Sequence, residues 1–230
     1  MKRPLLRMEP VSPERYAVSD LLIEDVSEKC LWLFDLEVTG LDTNVEQVTQ
    51  IAGVPLQGGE MLEDRAFSQL VKPGVPIPDE IQELTGITPE RVAGAPDFPQ
   101  GWRLGLEAAR GCDLWVGQSV FEFDVPLLDT ELARHGLPPE LPPILDSVVI
   151  ATMLLGPPDG RWSTSALIQR FDVDISGLRR HDALDDVKIL GRTLLPMLEL
   201  IRTEHGDRLE LAASARLEIA RHPPIATPGS

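Results

Sequence analysis

Cysteine is nearly missing from this chain: Cys30 and Cys112 are the only two in 230 residues. They stand far apart and form no C-x-x-C pair, so they suggest neither a disulfide framework nor a cysteine-rich zinc site. Long apolar runs are missing too. Nowhere do about 18 apolar residues follow one another as a spanning helix requires, and the basic start MKRPLLRMEP leads into no apolar stretch long enough for a signal peptide. The expectation is a cytoplasmic protein, neither exported nor membrane-embedded. Positive charge is the third shortage, with 21 Lys and Arg against 37 Asp and Glu and a formal net charge of -16. Such a molecule repels a long polyanion unless basic charge is locally gathered or divalent cations intervene. No internal repeat is present. What remains, 43% hydrophobic and 25% charged residues, is the composition of a soluble globular protein. The length suits one domain with short extensions.

Residues 1–28 mix charges and prolines without a clear period and read as an N-terminal extension with at most a short helix. The domain proper is expected over 29–204. CLWLFDLEV, VTQIAGVPL and RAFSQLVKP, separated by turn-like segments, predict a three-strand antiparallel meander. PDEIQELTG has helical spacing closed by Gly86, where a glycine can take the left-handed C′ conformation. A helix near 99–109, a strand at CDLWVG, a helix at FDVPLLDTELARHG and a strand at PPILD follow, and helices dominate thereafter. This order argues for an α/β fold, a mixed central sheet with parallel strands beside the meander and helices packed on it. Residues 205–230 read as a C-terminal helix and a Pro-rich, disordered tail ending HPPIATPGS.

Three acidic stations stand out. Asp35 and Glu37 share one face of their strand with Leu31 and Leu33, because successive strand residues alternate faces. Asp124 opens a helix after a buried strand. In RRHDALDDV, residues 179–187, His181 stands among three aspartates. Each alone has an ordinary explanation: a strand end reaching water, a helix-dipole aspartate, a surface cluster. Together, carboxylates converging without enough cations would repel one another severely. Divalent ions relieve that, Mg²⁺ and Mn²⁺ prefer hard oxygens, and a nearby imidazole can accept a proton at neutral pH.

In this order, and with ELTGIT between the first two, FDLEVTGLD, VGQSVFEFDVPLL and HDALDDV resemble the three motifs of the DEDDh 3′-to-5′ exonucleases over roughly residues 30–200. The resemblance is to proofreading epsilon subunits and three-prime repair exonucleases, and DLEVTGLD is also similar to the oligoribonucleases. It implies an RNase H-like fold and two Mg²⁺ or Mn²⁺ ions held by Asp35, Glu37, Asp124 and Asp186, with His181 as general base. It further implies release of nucleoside 5′-monophosphates from a single-stranded or frayed 3′ end, DNA before RNA, and substrate contacts at Val38, Thr39, Leu41, Leu84 and Phe123. A polymerase or repair protein would be a further partner. Gln118 and Ser119 stand where the family often has His-Asn, and Val38 where it often has threonine. The alternatives are an RNA exonuclease acting on short oligoribonucleotides and a non-catalytic nucleic-acid-binding domain that keeps the fold; the intact acids and His181 count against the latter. Residues 161–192 hold six cations against five acids, a local exception to the acidity on which a substrate could approach.

A helix starting near Asp182 turns about 100° per residue, which gathers Ala183, Val187, Leu190, Leu194, Met197 and Leu198 into one core-facing stripe. Asp186 falls at its border. Asp185 points away, where water and an i,i+3 ion pair to Lys188 can satisfy it. Asp146 reads as a helix cap and not a ligand. Trp32, Trp102, Trp115 and Trp162 read as core or edge packing, and His135, His205 and His222 as surface residues without metal-ligand spacing.

Overall fold

The strand that carries Asp35 and Glu37 is apolar on both faces, the pattern of a central strand covered on each side. In the computed structural model, which describes residues 5–221, this is what it becomes. The chain opens with β1 (Arg7–Ser12), β2 (Arg15–Ser19) and β3 (Leu21–Ile23), then a 3-10 turn at Val26–Glu28. There follow β4 (Leu31–Val38), β5 (Val48–Gln57), β6 (Glu60–Met61) and β7 (Phe67–Leu70). Helices α1 (Asp79–Thr85), α2 (Pro89–Val92) and α3 (Phe98–Ala108) lead to β8 (Leu114–Gly117), α4 (Asp124–Arg134) and β9 (Ile144–Asp146). The rest is α5 (Ser147–Leu155), α6 (Thr164–Phe171), α7 (Ala183–Glu204), β10 (Leu209–Leu211) and β11 (Leu217–Ala220).

The main sheet runs β6-β5-β4-β8-β9, with β7 also on β5; β4, β5 and β7 form the expected antiparallel meander, and β4-β8 and β8-β9 are parallel. Leu31 and Leu33 join a core with α5 and α7 on one face, while Trp32, Phe34 and Leu36 join one with α3 and α4 on the other. The α/β fold is therefore the expected mixed sheet flanked by helices. All four tryptophans are buried in these cores. Gly86 ends α1 with a φ of 73°, the left-handed turn foreseen for it.

Helix α7 starts where the wheel places it. Asp182 caps it, accepting from the backbone N–H groups of Leu184 and Asp185 at 3.2 and 3.3 Å, and all six residues of the stripe are buried. Gly191 lets the helix come down onto the sheet, since a Cβ there would meet Met61 Sδ at 2.0 Å and Leu33 Cδ1 at 3.0 Å.

Both ends of the chain depart from expectation. Residues 5–28 are not loose: β2 lies between β1 and β11, β3 pairs with β10, and Tyr16, Val18, Leu21 and Ile23 enter the main core. Residues 205–221 contain strands β10 and β11 in place of the expected helix, because they complete the strands at the other end of the chain. The tail from His222 onward lies outside the described residues. The cysteines, distant in sequence, precede two neighbouring parallel strands, which brings Cys30 Sγ to 2.8 Å from Cys112 Sγ as free thiols. Burial and the Cys30 contact push the Cys112 thiol up to about 12, so it stays protonated at neutral pH. Among the described residues, no helix is long and apolar enough to cross a membrane.

Candidate active site

Alternation along β4 sends Asp35 and Glu37 to the face covered by α7, in line with Leu31 and Leu33. The β4-β5 register slips at Glu37/Val38, the kind of irregularity that re-aims side chains beside a site. From the same side comes Asp186, in the first turn of α7. Oxygens of Asp35, Glu37 and Asp186 all lie within 4.8 Å of one another. Asp124 arrives from the opposite layer, as the first residue of α4, and is buried. All four line one open cavity of about 1040 Å³.

Their electrostatics are those of crowded like charges. Burial holds the Asp35 carboxyl well above the usual range, and Asp124, Glu37 and Asp186 push it further while Arg180 pulls back. Glu37 is pushed up to about 8, by burial first and then by Asp186, Asp182 and Asp124, against Arg179. Asp124 is raised to about 7 by burial, partly offset by a backbone N–H and reinforced by Asp146. Such a set of hard oxygen donors, short of cations, fits divalent ions.

Arg180 and His181 are tied to this cluster through Asp186. Asp186 Oδ1 accepts from Arg180 Nε at 2.6 Å and Oδ2 from the backbone N–H of His181 at 2.7 Å. That second bond accompanies a left-handed His181, φ 62°, a conformation uncommon for a side-chain-bearing residue. His181 is exposed and lines the cavity. Asp185 differs from the outer-face expectation. It does reach Lys188, at 3.9 Å, but it is half-buried and also accepts from the Arg179 backbone N–H at 3.0 Å, because the preceding loop folds back over the helix start.

A family model described as exonuclease (RNase_T) matches residues 32–194. The chain belongs to the exonuclease family. Among curated relatives, the DNA polymerase III PolC-type of Streptococcus thermophilus (strain ATCC BAA-491 / LMD-9) is 30% identical over 182 residues, 79% of this chain. That of Streptococcus sanguinis (strain SK36) is 28% identical over the same length. The chain spans 12% of the length of each of these relatives. Two solved structures share the fold. Exonuclease X in complex with 5′ overhanging duplex DNA has a TM-score of 0.59 and 22% identity, covering 77% of this chain and 96% of that one. The nuclease domain of 3′hExo, a DEDDh family member bound to rAMP, has a TM-score of 0.66 and 20% identity, covering 75% of this chain and 92% of that one.

Around the acids of this exonuclease domain, the expected substrate residues divide. Leu41 and Leu84 are 56% and 46% exposed and line the cavity, which no core leucine would do. Val38 and Phe123 line it as well. Thr39 does not: it is buried, its hydroxyl donating to Glu46 and accepting from the Gln47 N–H, so it shapes the loop after β4. Gln118 and Ser119 are structural clamps here, Gln118 reaching the Trp162 carbonyl at 2.8 Å and Ser119 accepting from Arg161 Nη2 at 2.6 Å. Asp146 caps α5 as expected and does more. Fully buried, it accepts from the N–H groups of Val148, Ser119 and Phe121, which fixes the loop that delivers Asp124. Nothing in the sequence signalled the second role, or that of Arg180, since both depend on loops brought together by the fold.

Proposed function

We propose that this domain is a metal-dependent 3′-to-5′ exonuclease releasing nucleoside 5′-monophosphates from single-stranded or frayed 3′ ends, with DNA as its preferred strand. The observation that carries this is the meeting of Asp35, Glu37 and Asp186 within 4.8 Å, beside buried Asp124, in the cavity that His181 also lines. Asp35, Glu37, Asp124 and Asp186 would hold two Mg²⁺ or Mn²⁺ ions, which when bound stabilise charge on the attacking and departing oxygens of a phosphoryl displacement. His181 takes the proton of the attacking water at its imidazole, whose exposure lets it pass that proton on to solvent. Exposed Leu41 and Leu84, with Val38 and Phe123, receive the terminal bases by contact that is indifferent to sequence.

The DNA preference is supported by the likeness to DNA polymerase III PolC-type relatives, which also favours a polymerase as partner. A cytoplasmic place goes with the same reading, and the domain expected over 29–204 takes in residues 5–28 and 205–221 as well, which complete its strands and core. With Mg²⁺ or Mn²⁺, a 5′-labelled single strand should shorten stepwise from its 3′ end, and excess EDTA should stop it. Internal fragments from a circular single strand, or full turnover in EDTA, would overturn the assignment. Faster shortening of matched RNA would transfer it to the RNA-directed alternative.

A further inference from the structure

The cleft does not end at the carboxylates. Its wall includes Pro13, from the β1-β2 turn, and Arg221, the residue after β11. The sheet β1-β2-β11, built from the two ends of the chain, thus closes part of a cavity otherwise made by the exonuclease core. Arg161, in the segment between α5 and α6, lines the same part. Its side chain is only 12% exposed; Nη2 donates to Ser119 Oγ at 2.6 Å, and Nη1 stands 3.5 Å from Glu122 Oε2. Neither Nη1 nor Nε has a hydrogen-bond acceptor. Arg221 lies with its guanidinium 5.2 Å from the centroid of the Tyr16 ring and makes no ion pair with a described residue. Asp146, Glu122 and both guanidiniums act on the Tyr16 hydroxyl, which ties the two arginines to one corner.

That corner sets two cations against two carboxylates, and one of these, Asp146, is already held by three backbone N–H groups. Buried guanidinium N–H groups without acceptors are costly unless a ligand supplies them. The group that matches is an anion with oxygens spaced for a guanidinium fork, a phosphodiester. A volume of about 1040 Å³ is at the top of the range that encloses a whole small molecule, so the cleft has room beyond a single terminal nucleotide. We propose that Arg161 and Arg221 form an upstream phosphate subsite that takes the backbone of a single strand 5′ of its terminal nucleotide. The two ends of the chain are then part of the substrate cleft. The word upstream rests on the exonuclease reading; the ligand class rests on the arginines alone.

Binding without turnover tests it. An Asp35→Asn background removes one carboxylate and part of its repulsion, and EDTA prevents metal-dependent cleavage. In it, 5′-fluorescein-labelled thymidylate strands of two and six nucleotides are titrated by fluorescence anisotropy over a range of salt. The longer strand should bind more tightly, and Arg161→Gln and Arg221→Gln should each weaken it about tenfold. The slope of log affinity against log salt should become shallower by about 0.7 per lost phosphate contact. Arg161→Lys should keep the slope, whereas an arginine needed only for folding would show its loss in the melting temperature. Arg221→Gln alters only a stacking contact, so it remains decisive if the Arg161 variant folds poorly. An unchanged affinity and slope in Arg221→Gln, or no measurable binding of the longer strand by the background protein, overturns the subsite. The exonuclease reading stands or falls separately, on cleavage by the unaltered chain.

Discussion

Two buried acidic places in this molecule are treated in opposite ways. At Glu131, on α4, the side chain is 1% exposed but has Arg134 beside it and His135 Nε2 at 3.3 Å. Burial still pushes its carboxyl up, while Arg134 and His135 pull it back. At Asp35, Glu37, Asp124 and Asp186 the only direct cationic contact among the described residues is Arg180 on Asp186. The first arrangement is what a fold does with an acid it needs only for structure. The second leaves like charges facing one another in an open cleft, which is stable only if something else arrives to neutralise them. The contrast separates an acid that the fold pairs from acids that it leaves facing one another, and burial alone does not draw that line, for Glu131, Glu37 and Asp124 are all buried.

Breaking the unpaired cluster should have the largest effect. Asp186→Asn removes an oxygen donor shared by the cluster, Arg180 and the His181 backbone, and is expected to reduce metal-dependent cleavage to background in a gel assay with folding checked by circular dichroism. His181→Ala should lower turnover by about 10²–10⁴-fold while metal affinity, read by calorimetry, is largely kept. A parallel collapse of metal affinity would make His181 a ligand.

On the structural side, Glu131→Gln should leave cleavage intact and cost about 1–3 kcal/mol in urea unfolding, since it strands Arg134 and His135 beside a neutral amide. Loss of activity without loss of stability would erase the distinction.

The comparison can also be sharpened by pH. Asp35, Glu37 and Asp124 keep their protons to higher pH in the fold than in the unfolded chain, so their ionisation destabilises the metal-free protein progressively as pH rises from about 4 towards the Glu37 value of about 8. In EDTA the melting temperature should therefore fall across that window. Mg²⁺ should raise it by about 2–4 °C more at pH 8 than at pH 5; a gain independent of pH would mean that the ion binds elsewhere. The smallest effect is expected from Asp185→Asn. It keeps one oxygen for the Arg179 N–H and loses the charge facing Lys188, so most activity should remain with a cost of about 1 kcal/mol or less. An inactive Asp185→Asn beside an active Asp186→Asn would refute the register of α7 as the basis of the site.

The acids themselves were legible in the chain. Period-two alternation put Asp35 and Glu37 on one face, the helical wheel put Asp186 at the core border, and a glycine marked the end of α1, because each of these rests on the geometry of a few consecutive residues. The meander and the order of strands and helices followed from the same local patterns. What the sequence could not decide depends on residues far apart in it. Strand β2 pairs with β11 across some two hundred positions, Cys30 meets Cys112 through neighbouring strands, and Asp185 is engaged by a loop that folds back on it. Thr39 stands next to the motif yet turns into its own loop, and Arg161, which in sequence is only one of six cations over 161–192, faces the cleft with N–H groups to spare. Local periodicity fixes which way a side chain leaves its own element. Only the packing of elements decides what it meets there, because short strands and loops gain their stability from partners that the neighbouring sequence does not contain.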